Sequence, residues 1–126
     1  MPLSTRVNQN VASFLTKATI LAGSVAIGGA GAVGARVGRG FSIARTGTGL
    51  YTVTIDGVGA LPIMYALASV VHATVSVAFV TGISPASRTF SVQTGTAAAP
   101  GTAADPPSGS LLQVVGVINN MPIGQN

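Results

Sequence analysis

Hydrophobic and polar positions alternate most clearly between Phe41 and Ile55. Phe41 and Ile43 fall on one side and Ser42 and Ala44 on the other. After the turn formers Thr46, Gly47, Thr48 and Gly49, the residues Tyr51, Val53 and Ile55 alternate with Thr52 and Thr54. A period of two places one set of side chains on a core, and glycine tolerates the positive φ angles of tight turns, so this segment predicts a β-hairpin. Asp56 and Gly57 close its second strand.

The same reading predicts strands over residues 19–27, 64–71, 74–81, 89–94 and 111–118. From Thr74 onward, Val75, Val77 and Phe79 share one side and Thr74, Ser76 and Ala78 the other. Val75, Val77 and Phe79 are therefore expected in the same core as Phe41, Ile43, Tyr51, Val53 and Ile55.

Residues 1–18 read as an N-terminal arm, 19–118 as a β-domain and 119–126 as a tail. Within the domain, the glycine-rich residues 28–40 predict a long loop or a glycine-bent strand. Residues 95–109, built from Ala, Gly, Thr, Ser and Pro, predict a long surface or contact loop. Six to eight short strands without an amphipathic helix predict an all-β fold, a small antiparallel β-sandwich or jelly-roll-like barrel with an extended N-terminal arm.

Composition changes this picture in one respect. The chain has 126 residues, enough for one domain, yet only 6 % are charged, against ~25 % in ordinary soluble domains. So neutral a surface predicts extensive cover by another protein and an oligomeric state, with a homotrimer expected. The net charge of +4 comes from six scattered cations and two acids. Nucleic-acid binders concentrate their cations on one face and interleave aromatics, so no nucleic-acid partner is expected. With no cysteine, disulfides and thiolate chemistry are excluded.

Two apolar stretches, residues 18–37 and 61–80, raise the question of a membrane span. Five glycines and Arg36 interrupt the first, and Pro62, His72, Thr74 and Ser76 the second, so neither makes a good spanning helix. A small membrane-associated protein stays as a minor alternative.

Several motifs resemble chemical sites. Residues 29–34, Gly-Ala-Gly-Ala-Val-Gly, match the dinucleotide pattern, but a strand follows where the crossover helix should begin. His72 is the sole histidine, which cannot make a histidine metal site, and reads as a core-edge or interface residue. Asp56 and Asp105 are the only acids, and each adjoins a turn former. No Gly-x-Ser-x-Gly elbow occurs. No enzyme activity, small-molecule substrate, cofactor or metal is expected.

The segment 41–55, Phe-Ser-Ile-Ala-Arg-Thr-Gly-Thr-Gly-Leu-Tyr-Thr-Val-Thr-Ile, resembles a hairpin of small structural proteins of tailed bacteriophages, including head decoration (cement) proteins and fibre-like heads. Residues 90–94, Phe-Ser-Val-Gln-Thr, then Ala104-Asp105-Pro106, then residues 111–115, Leu-Leu-Gln-Val-Val, are similar to the same family's penultimate strand, Asp-containing loop and final strand. The glycine-rich residues 28–40 depart from it. The resemblance implies a β-sandwich protomer, often trimeric, that sits on the outer capsid surface and braces the major capsid protein; a fibre or other virion interaction module is the alternative. Contacts with the partner are expected at Arg6, Asn8, Asn10, Lys17, Asp105 and Pro106. Residues 1–11 and 95–109 lack the apolar groups that offset ordering entropy, so both are expected to become ordered only on the partner.

Overall fold

Among the described residues, alternating β-branched and aromatic positions produce eight strands, and their pairing closes two sheets over one core. The computed structural model describes residues 18–56, 63–85 and 87–119. The strands are β1 (Ala18–Ile27), β2 (Val33–Val37), β3 (Phe41–Gly47), β4 (Leu50–Ile55), β5 (Ile63–Val71), β6 (Ser76–Ser84), β7 (Thr89–Thr96) and β8 (Leu111–Asn119). One sheet has the order β2-β1-β8-β5 and the other β3-β4-β7-β6. Every pairing is antiparallel. The fold is a small antiparallel β-sandwich, as the alternation predicts.

The predicted hairpin forms in register. Phe41 faces Ile55 and Ile43 faces Val53 across β3 and β4, and the turn at Thr48-Gly49 places Gly49 at φ +65°. A side chain there would also run into the backbone of Ala104, so the turn needs glycine for both conformation and space. Phe41, Tyr51, Val53 and Ile55 are buried, together with Phe90 and Val92 from β7 and Val25, Ile27, Leu112 and Val114 from the opposite sheet. Each such side chain contributes about 1.5–3 kcal/mol through burial.

Close approach of the two sheets depends on one glycine. Gly23 faces the core from β1, and a Cβ at that position would meet the Phe41 ring and the Val37 carbonyl oxygen. The missing side chain is thus the space that Phe41, the one aromatic of β3, occupies.

β6 corrects one expectation. The alternation is there, but its sides are reversed: Val75 and Phe79 are exposed and Val77 is only half-buried, while Ala78 and Val80 pack on the core. The neighbouring strand decides the matter. Val80 lies opposite Val92, and Ala78 opposite Thr94, both buried, whereas Phe79 lies opposite the outward Gln93. Directly opposed residues share a face, so the register with β7 outweighs the larger apolar groups on the other side.

The glycine-rich residues 28–40 resolve into a short 3-10 turn, Gly29–Gly31, and the strand β2, which pairs with β1 at the sheet edge. The predicted strand at 74–81 begins at Ser76 and runs to Ser84; that at 89–94 extends to Thr96. Most of the predicted arm, residues 1–17, and most of the tail, residues 120–126, lie outside the described residues.

Candidate functional site

The motifs with possible chemistry do not assemble. Asp56 follows the last residue of β4, whereas Asp105 bonds to Gly49 just before its first. At ~3.4 Å per residue the six-residue strand separates them by roughly 20 Å, too far for an acid–base pair. His72 lies in the turn after β5, where its Nδ1 accepts a hydrogen bond from the Thr74 N–H at 3.0 Å. The 29–34 motif leads into an antiparallel strand, so the strand-to-helix junction that cradles a pyrophosphate is not formed. Among the described residues no group of three or more His, Cys, Asp or Glu comes together.

Asp105 and Pro106 hold the chain to itself. The Asp105 carboxylate accepts hydrogen bonds from Arg45 at 2.8 and 3.1 Å and from the Gly49 N–H at 2.7 Å. Bonding to Arg45 holds the carboxyl below its usual range, against an opposing effect of burial, and the Gly49 N–H adds to the lowering. The Pro106 ring is buried. Next to them, the buried Thr94 hydroxyl donates to the Ala104 carbonyl at 2.7 Å, and the Ala104 N–H returns a bond to the Thr94 carbonyl at 2.9 Å. Asp105, expected as a partner contact together with Pro106, thus also has a role within the chain, joining the β7–β8 loop to the β3–β4 hairpin. Polar bonds, not apolar groups, thus tie Ala104 and Asp105 of the 95–109 loop to the sandwich. Arg6, Asn8, Asn10 and Lys17 lie outside the described residues.

The surface that stands out is the outer face of the sheet β2-β1-β8-β5. Its cross-strand rows are Tyr65–Val117–Ile20, Leu67–Val115–Ala22, Ser69–Gln113–Ser24 and Val71–Leu111–Ala26, with Val37 beside Ser24 at the β2 edge. Ile20, Val37, Tyr65, Leu67 and Val71 are between 48 % and 69 % exposed. β1, β5 and β8 contain no charged residue at all; the charged residues among those described, Arg36, Arg39, Arg45, Asp56, Arg88 and Asp105, lie elsewhere. Two shallow depressions flank β8, one of about 210 Å³ beside Leu67 and Val115 and one of about 360 Å³ beside Ala22 and Val115.

The opposite sheet presents a different surface. Its outward rows include Ser42–Thr54–Thr89 and Ala44–Thr52–Ser91, in which every side chain but Ala44 bears a hydroxyl that water solvates well. That face also carries Leu50 and Phe79, 40 % and 39 % exposed on either side of Gln93, so the two outer faces differ in their share of apolar groups, which is larger on β1-β8-β5.

No protein-family model, curated protein or solved structure matches the chain. The interpretation of the site therefore rests on its own chemistry.

Sequence reasoning assigned no contact residue on this face. The signal was present in residues 63–71, Ile-Met-Tyr-Ala-Leu-Ala-Ser-Val-Val, where both alternating sets are apolar except for Ser69. That is the pattern of a strand covered on both sides. In the folded chain only the inner side, with Ile63, Ala66 and partly Ala68 and Val70, finds cover. Read as a membrane question, the same stretch gave no helix: none among the described residues is long and apolar enough to cross a membrane.

Proposed function

We propose that this chain is a structural virion protein that binds the outer surface of a tailed-bacteriophage capsid and stabilises it through protein–protein contacts. The observation that carries this reading is the uncharged, apolar outer face built by β1, β8 and β5. A face of this kind exposes apolar area to water unless a partner covers it. The resemblance of residues 41–55 and 90–115 to phage head decoration proteins supports the capsid as the place where that happens.

The mechanism is one of area and copy number. Each copy removes apolar surface from water at ~25 cal/mol per Å², and the total over many symmetry-related copies offsets the entropy lost on attachment. Arg6, Asn8, Asn10 and Lys17 are assigned to the capsid contact, where two cations favour an acidic shell surface. Exposed ion pairs contribute only ~0–1 kcal/mol each, so charge orients the docking more than it holds it.

The test is reconstitution. Particles lacking the chain are mixed with the purified full chain, pelleted, and challenged with heat. Saturable co-sedimentation with a raised capsid disruption temperature is the expected result. Binding only to tails or fibres would move the protein to the alternative virion role, and no binding to any virion part would overturn the reading.

A further inference from the structure

We infer that the outer face of the sheet β2-β1-β8-β5 is where a second copy of this chain docks, face to face, with the Tyr65 and Leu67 ridge of each copy seated in the trough over Ala22 and Val115 of the other. The inference rests on the reading of this face as one that protein covers, but gives it to a second copy, in a dimer where composition led to the expectation of a trimer, and leaves the shell to other surfaces of the assembled pair.

Charge is the first argument. A two-fold contact sets each residue patch against a copy of the same molecule, so any charge near the axis meets its like. β1, β5 and β8 carry none, which permits self-docking and gives no handle for selecting a charged partner. The cations and acids that could complement another protein lie on other elements.

Relief is the second. The edge strand β5 raises Tyr65 and Leu67, 53 % and 50 % exposed, beside depressions of about 210 and 360 Å³ whose lining includes the small side chains Ser69, Ala22 and Ser24. Ridge and trough lie on the same face but are displaced from one another. A two-fold axis between them places each ridge in the other copy's trough, the interdigitation by which stacked sheets pack about 10 Å apart.

Area is the third. Four strands spaced ~4.8 Å apart and about eight residues long give a projected footprint of roughly 500 Å². A specific interface buries ~800 Å² of accessible area per partner, so a two-fold contact engages the whole of this face and not one corner of it. A ring would instead need two different complementary patches, and on the opposite sheet the exposed Leu50 and Phe79 are separated by Gln93 and neighboured by hydroxyl-bearing rows.

Sedimentation of the full chain at micromolar concentration tests the proposal. The expected species has twice the 12.4 kDa chain mass. Leu67→Lys should weaken association by about tenfold or more, with the β-sheet circular dichroism unchanged because Leu67 carries no core contact, while Thr52→Lys on the opposite sheet leaves the dimer intact. Should Leu67→Lys not fold, Tyr65→Ser serves in its place. Since the chain has no native cysteine, mixing the Leu67→Cys and Ala22→Cys variants should give a disulfide-linked pair on oxidation. A monomer, a trimer, or a dimer insensitive to both face substitutions overturns the inference. Capsid pelleting of the same variants separates the two proposals. If the chain is monomeric and Leu67→Lys abolishes capsid binding, the shell occupies the face and only this inference fails. If the dimer behaves as described but binds no virion part, the virion reading fails and the inference stands.

Discussion

Asp105 and Arg45, sixty residues apart in the chain, meet in a two-pronged ion pair whose shorter arm is 2.8 Å. The pair fastens the long loop between β7 and β8 onto the β3–β4 hairpin, and Asp105 also caps the Gly49 N–H. The ion pair itself is partly exposed and contributes little. Removing the carboxylate, however, leaves the buried Gly49 N–H without its acceptor, which costs about 1–3 kcal/mol. Asp105→Ala should therefore lower the urea midpoint by a corresponding amount, and Arg45→Ala should lower it less.

The same carboxylate makes stability depend on acid. Its folded pKa lies below the ordinary value of 3.8, chiefly because Arg45 bonds to it. A depressed carboxyl contributes stability that is fully present above the unfolded pKa and is lost as pH falls through the folded one. Thermal unfolding of the wild type should weaken below about pH 4, and Asp105→Asn should flatten that slope. At the alkaline end Tyr51 acts in the opposite sense. Burial raises its phenol above 10.0, and the hydroxyl donates to the Gly31 carbonyl at 2.9 Å. The neutral form is favoured in the folded chain, so stability is lost as pH rises past 10, and Tyr51→Phe should remove that loss at a constant cost of one hydrogen bond.

Two phenylalanines on adjacent strands should behave oppositely. Phe90 on β7 is buried, and Phe90→Ala should cost about 3–5 kcal/mol. Phe79 on β6 is 39 % exposed, so Phe79→Ser should change stability by no more than about 1 kcal/mol, in keeping with a surface site. Equal losses from the two substitutions would mean that β6 presents its other face to the core.

Gly23 and Gly82 form a second contrasting pair. A methyl group at Gly23 meets the Phe41 ring and the Val37 carbonyl, whereas at Gly82 nothing lies within 4 Å. Gly23→Ala should destabilise by about 1–3 kcal/mol, the usual cost of overpacking, and Gly82→Ala should be neutral or slightly stabilising. Chemical denaturation of the two variants side by side measures the difference.

Local alternation was enough to read the hairpin 41–55, because its turn residues and its two faces agree with one another. It was not enough for β6, where Val75, Val77 and Phe79 compete with Ala78 and Val80, and only pairing with Val92 and Thr94 decides which side turns inward. The strand β2 was hidden among glycines, since its pairing with β1 comes from the backbone and not from side chains. Likewise the latch at Asp105 depends on Arg45 and Gly49, distant in sequence, so the composition of residues 95–109 did not show it. The outer face escaped for a related reason. Its apolar character was legible in residues 63–71, but that these residues join Ile20 and Val117 in one row follows only from the order β1-β8-β5.

Electron microscopy of virions assembled with and without the chain is the most direct test of the central claim, that this is a capsid-binding structural protein. The account expects additional, symmetry-ordered density of a β-sandwich on the outside of the shell, present only when the chain is supplied, with the face bearing Tyr65 and Leu67 covered by protein. Identical shells in the two preparations, or the sandwich found with that face open to solvent, would contradict it.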